Sequence, residues 1–112
     1  MAARPSDAQI LRLIREALSG EGLFTVSVHA EKEMLGDGFE DSDVRHAIRL
    51  GRLTRREPDI KGDERFTIEG PAIDDPGKSV GVVCKLLQHD PPEVLVITVF
   101  DESTRYGRRR TR

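Results

Sequence analysis

A chain of 112 residues, 37% hydrophobic and 34% charged, is long enough for one core and too short for two. Aromatic residues make up only 4% of it, with one Tyr and no Trp, which excludes the stacking platforms that grip unpaired bases. Cys84 is the single cysteine, so no intramolecular disulfide forms, and with His29, His46 and His89 scattered it gives no zinc-ligand spacing.

No apolar run approaches the roughly 20 residues of a membrane span, and no signal-peptide pattern opens the chain. The expectation is a cytoplasmic protein with no membrane contact, no cofactor and no metal. The formal net charge of −2 hides an asymmetry. Arg105, Arg108, Arg109, Arg110 and Arg112 are close together at the C-terminus, and removing those five positive charges from −2 leaves the rest near −7. A basic tail on an acidic body suits phosphate backbones, and it also suits a solvated, frayed end.

In chain order, residues 1–6 read as disordered, 7–103 as one domain and 104–112 as the basic tail. Ser6-Asp7-Ala8-Gln9 fits a capping box, and Ile10, Leu11, Leu13, Ile14, Ala17 and Leu18 form a broad helical stripe ending at Gly20. This predicts a helix over roughly 7–19. Phe24-Thr25-Val26 is a short extended lead. Ser27 caps a second helix from Val28 to Leu35, which Gly36-Asp37-Gly38 breaks. Asp41 or Ser42 caps a third, with Val44, Ala47, Ile48 and Leu50 on its apolar face and Gly51 closing it.

The period then changes. Arg52–Glu57 reads as an edge strand, with Arg55 and Arg56 as a charged brake on aggregation, and 58–63 as a turn. In Arg65-Phe66-Thr67-Ile68-Glu69 the apolar residues sit at every second position, so Phe66 and Ile68 face inward. Residues 79–87 and 93–100 are nearly continuous apolar runs joined as a hairpin through His89-Asp90-Pro91-Pro92. Strict alternation puts Thr98 with Val96 and Phe100, opposite Leu95, Ile97 and Val99. The expected fold is α+β: two to three N-terminal helices on one face of a roughly four-stranded antiparallel sheet. The other face would carry Arg65, Thr67, Glu69 and Thr98, either as solvated surface or as a shallow cleft.

The densest chemistry lies in residues 27–37. His29, Glu33 and Asp37 follow one another at four-residue steps, which places them on one helix face. An imidazole beside a carboxylate is the smallest kit for proton transfer. The same pair is also an ordinary helix surface. A metal held by the three is disfavoured, because Gly36 and Gly38 interrupt the second turn.

Ser27, His29, Ala30, Glu33 and Met34, then Asp43, Val44 and Gly51, then Arg65, Phe66, Ile68 and Gly70, then Val82, Val83, Ile97, Thr98 and Val99, occur in one order. In that order the chain resembles, over roughly residues 24 to 102, a large family of small bacterial proteins known only as a domain of unknown function. That family is similar to RelE, ParE and barnase-like folds, compact helix-plus-sheet domains used as toxins and often as metal-independent ribonucleases. Its members commonly lie beside small zinc-finger antitoxins. Many of them carry Arg where this chain has Glu33, and a carboxylate there repels phosphate.

The resemblance implies RNA as substrate and a small zinc-finger or DNA-binding antitoxin as partner. His29 would be the acid or base, Glu33 its orienting partner, Arg65 the phosphate clamp and Thr98 a hydrogen-bond donor. Arg105, Arg108, Arg109 and Arg110 would hold RNA. The alternative is a non-enzymatic interaction module that works by occupying a partner protein, with strand addition at the exposed edge Arg52–Glu57.

Overall fold

A computed structural model describes residues 4–59, 63–75 and 77–102. The helix α1 spans Asp7–Glu16 and opens with the expected capping box: the Ser6 hydroxyl accepts from the Gln9 N–H at 3.1 Å, and the Gln9 side chain accepts from the Ser6 N–H at 2.7 Å. A wider π-type turn, Ala17–Glu21, follows and contains Gly20, whose φ of 96° a side chain would disfavour. Next come β1 (Leu23–Val26), α2 (Val28–Asp37) and α3 (Asp41–Leu50). Four strands complete the fold: β2 (Arg52–Pro58), β3 (Glu64–Pro71), β4 (Ser79–His89) and β5 (Pro92–Asp101). The α+β class holds, with helices before an antiparallel meander.

The sheet itself differs from expectation. It has five strands in the order β1-β5-β4-β3-β2 and is mixed, because β1 runs parallel to β5 with Phe24 opposite Val94 and Val26 opposite Val96. Leu23–Val26 is too short to announce itself by alternation. It becomes a strand because β5 offers it an edge, and α2 and α3 then carry the chain to β2 at the opposite edge of the sheet.

Two local expectations also change. Gly36 does not break α2, which runs on to Asp37 and stops at Gly38, a left-handed cap with φ 75°. The N-cap of α3 is Glu40, one residue before Asp41. The Asp43 carboxylate accepts the Glu40 N–H at 3.0 Å and, with its other oxygen, the Ile73 N–H at 3.1 Å, so it ties the helix start to the loop after β3.

One core lies between the helices and the sheet. Ile10 and Ile14 of α1, Ala30 and Met34 of α2 and Val44, Ala47 and Ile48 of α3 are buried against Phe66, Ile68, Val80, Val82, Cys84, Val94, Val96 and Val99. Full burial of each large aliphatic chain stabilises the fold by about 1.5–3 kcal/mol before entropy is charged. Polar ties set the helix positions. Arg15 of α1 donates to the carbonyls of Ile48 and Gly51, both at 3.0 Å, and so satisfies the C-terminal end of α3. Arg56 does not act as an edge brake. It pairs with residues from the N-terminal segment and β3, while Arg55 stays exposed.

Candidate functional site

The alternation of β5 breaks once, and the break shapes everything around it. Val83 of β4 pairs with Thr98 and Cys84 pairs with Val96, so Ile97 is an extra residue, a β-bulge. Val94, Val96 and Val99 all reach the core as a result. Thr98 is therefore not on the face of Val96. Opposite Val83, it faces away from the helices, as does Phe100 opposite Gly81.

α2 closes the edge of β5 beyond the end of β1. The Ser27 N–H donates to the Val96 carbonyl at 2.9 Å, and the Ser27 hydroxyl donates to the Ile97 carbonyl at 3.3 Å while accepting from the Ala30 N–H at 3.1 Å. One turn later the Glu33 Oε1 accepts the Val99 N–H at 3.0 Å. Glu33 thus substitutes for the missing strand partner of Val99, a structural task that needs a carboxylate or amide and that an Arg at this position does not perform. Its second oxygen lies 3.3 Å from His29 Nε2. The imidazole is 69% exposed and Glu33 29%, so the pair sits at the surface with the carboxylate fixed from below. Asp37 ends the helix, and its carbonyl accepts from Lys78 Nζ at 3.2 Å.

Glu33→Ala is therefore expected to cost about 1–2 kcal/mol through the orphaned Val99 N–H. His29→Ala, which removes only an exposed side chain, is expected to stay within about 0.5 kcal/mol of the parent. Urea unfolding of the two variants checks this, and equal losses would show that His29 shares the structural task.

Arg65 belongs to another neighbourhood. It is on β3, two strands in from β5, and points away from the helices because its neighbour Phe66 is buried. Its guanidinium meets the Asp59 carboxylate at 3.1 Å, and Lys85 of β4 pairs with the same group, which is only 8% exposed. Arg65 and Thr98 share the face of the sheet that none of α1, α2 and α3 covers, while His29 stands past its β5 edge. His29 and Glu33 come together, and Arg65 does not join them.

Three shallow clefts of about 200, 360 and 420 Å³ lie elsewhere, and none has His29, Arg65 or Thr98 in its wall. Burial pushes the Cys84 thiol up to about 12, which removes it as a nucleophile at neutral pH. Among the described residues no group of three or more His, Cys, Asp or Glu is placed to hold a metal, and no helix is long and apolar enough to cross a membrane. The predicted RNA contacts Arg105, Arg108, Arg109 and Arg110 lie outside the described residues.

Of two features not foreseen from the sequence, the second is legible there and the first is not. Glu33 had a structural reason to be acidic, visible only once α2 was known to lie beside β5. The cation Lys85, in an apolar strand, marks the open face as clearly as Arg65 does. No curated protein and no solved structure matches the chain. A family model described as "Domain of unknown function (DUF4258)" matches residues 26–101, from the last residue of β1 to the end of β5, and so takes in α2, the bulge and the open sheet face. The chain belongs to that family.

Proposed function

We propose that the protein is a toxin-like, metal-independent endoribonuclease, one half of a toxin–antitoxin pair whose other half is a small zinc-finger or DNA-binding protein. The observation that carries this reading is the solvent-facing His29 imidazole beside a carboxylate anchored to the sheet. An imidazole with a free pKa of about 6.5 accepts and donates protons at neutral pH. In RNA cleavage the ribose 2′-hydroxyl attacks the adjacent phosphorus, a base takes its proton, and an acid protonates the departing 5′-oxygen. His29 serves as base or acid, and Glu33, 3.3 Å from its Nε2, fixes the ring. Arg65 and Thr98, on the open face, contact the strand away from the bond under attack. The resemblance to RelE, ParE and barnase-like domains supports the reaction class.

Purified protein is expected to cleave single-stranded RNA in the presence of EDTA, and His29→Ala is expected to lower the rate at least 100-fold with its unfolding curve unchanged. Full activity in a folded His29→Ala variant would remove His29 from the chemistry.

The separation of His29 from Arg65 favours a second reading, an interaction module that acts by binding a protein target. On that reading RNA stays intact under all conditions, and His29→Ala leaves toxicity in cells unaltered.

A further inference from the structure

We infer that the outer side of β2, through Arg52 and Arg55, is a docking surface for the phosphodiester backbone of single-stranded RNA. The inference rests on the proposed action on RNA and adds the surface that holds the strand.

The first observation is a second bulge. Arg52 pairs with Glu69 and Leu53 with Ile68, but Arg55 then pairs with Thr67, so Thr54 is the extra residue. Residues three apart on a regular strand face opposite ways. Here the bulge turns Arg52 and Arg55 to the same side, the one away from the helices, since Leu53 packs against the core and Ile68 is buried. Their partners Glu69 and Thr67 are two residues apart, so the two arginines are about 7 Å apart along the strand. That step is comparable with the one between successive phosphates of a nucleic-acid strand.

The second observation is that both guanidinium groups are unspent. Arg4 and Arg56 pair with Glu64, Arg12 with Glu16, Arg45 with Asp41 and Arg65 with Asp59, while Arg15 serves backbone carbonyls. Arg52 and Arg55 are exposed, and among the described residues no carboxylate or carbonyl takes either one. Even Glu69, directly across from Arg52, forms no ion pair with it. An unpaired guanidinium matches phosphate oxygens bidentately.

The third observation is the path. In register across the sheet, Arg55 is followed by Thr67, Val83 and Thr98. Three strand spacings, about 14 Å, bring this row to β5, where the Glu33 carboxylate holds the neighbouring Val99 N–H and His29 stands just beyond. Thr67 in this row is only 7% exposed and Val83 and Thr98 are half-buried, so a strand anchored on Arg52 and Arg55 passes over the neighbouring side chains and needs a few nucleotides to reach His29. Leu50, two residues before Arg52, is exposed, but it is a single aliphatic side chain, and the side chains next to the two arginines on β2 and β3 are the polar Thr54, Glu57 and Glu69, not the clustered apolar core that a protein partner needs. Glu69 works against phosphate, which supplies a test of opposite sign.

Binding of a fluorescein-labelled single-stranded oligoribonucleotide is followed by anisotropy as a function of salt, in the His29→Ala background so that cleavage does not intrude. Adding Arg52→Ala and Arg55→Ala is expected to weaken binding at least tenfold at low salt. It should also lower the slope of log K against log salt by about 1.4, or about 0.7 per lost phosphate contact. Glu69→Gln is expected to tighten binding a few-fold. Unchanged affinity and slope in the double variant would overturn the surface, and so would polyglutamate bound equally well through the same two arginines. The two proposals fail separately. Binding without cleavage in the His29 protein sinks the ribonuclease and leaves the surface, whereas cleavage indifferent to both arginines does the reverse.

Discussion

Replacing Gly70 by Ala is expected to destabilise the protein by about 3 kcal/mol or more, enough to unfold a domain of ordinary stability in part. Gly70 is on β3 directly beneath α3. A Cβ built there falls 2.8 Å from the Cα of Ala47 and closer still to its carbonyl oxygen. Both are backbone atoms of a helix held on its other side by Arg15, so neither yields without moving α3 off the sheet. Ala47 and Ile48 are fully buried, and such a shift opens voids around both. Gly36→Ala is the control. It too adds one methyl, but in the last turn of α2 with open space around the new atom, and it is expected to stabilise by about 0.5 kcal/mol. Urea midpoints of the two variants should move in opposite directions. A Gly70→Ala protein as stable as the parent would show that α3 does not rest on β3 as described.

The second large effect is expected at Arg56. This guanidinium, 15% exposed, donates to both oxygens of Glu64 at 3.2 and 2.7 Å, to the Pro5 carbonyl at 2.8 Å and to Asp7 at 3.1 Å, and lies 5.5 Å above the Phe66 ring. It joins the N-terminal segment to β2 and β3 at a single point. Arg56→Met keeps the stem over Phe66 and removes the charge. It leaves Glu64, only 26% exposed, without its main partner. The expected cost at pH 7 is about 2–3 kcal/mol, below that of a fully buried pair because solvent reaches part of the network and Asp7 is exposed.

The acid dependence provides a second readout. The hydrogen bond from Arg56 holds the Glu64 carboxyl below its usual 4.5, and the charge of Arg56 adds to this. The unfolded chain therefore takes up the proton first as pH falls. The network's contribution is complete above about pH 4.5 and drains away as pH drops through the folded value. The stability gap between parent and Arg56→Met is thus expected to be widest near neutrality and to narrow below that pH. A gap that stays constant down to pH 3 would assign the loss to packing instead of charge.

The element types were legible because they rest on local physics. The capping box at Ser6, the cap at Ser27 and the alternation of Phe66 and Ile68 are written within a few residues each, and the helices and four of the strands follow from them. The resemblance over roughly residues 24 to 102 is to a domain of unknown function, and a family model of that description matches residues 26–101. The helical spacing of His29 and Glu33 was likewise enough to put them in contact.

What the sequence left undecided all depends on partners distant in the chain. Leu23–Val26 becomes a strand only because β5, some 70 residues later, offers it an edge. The bulges at Thr54 and Ile97 have no local signature, since an extra residue exists only relative to a neighbouring strand. Those two residues choose the face on which Arg55 and Thr98 stand. Glu33 reads as a solvated helix carboxylate until the Val99 N–H comes to rest against it. Composition and period fix which residues seek the interior, and they act over one or two turns. Register, and with it the separation of His29 from Arg65, is set by how strands far apart in the chain align, and only the folded sheet decides that.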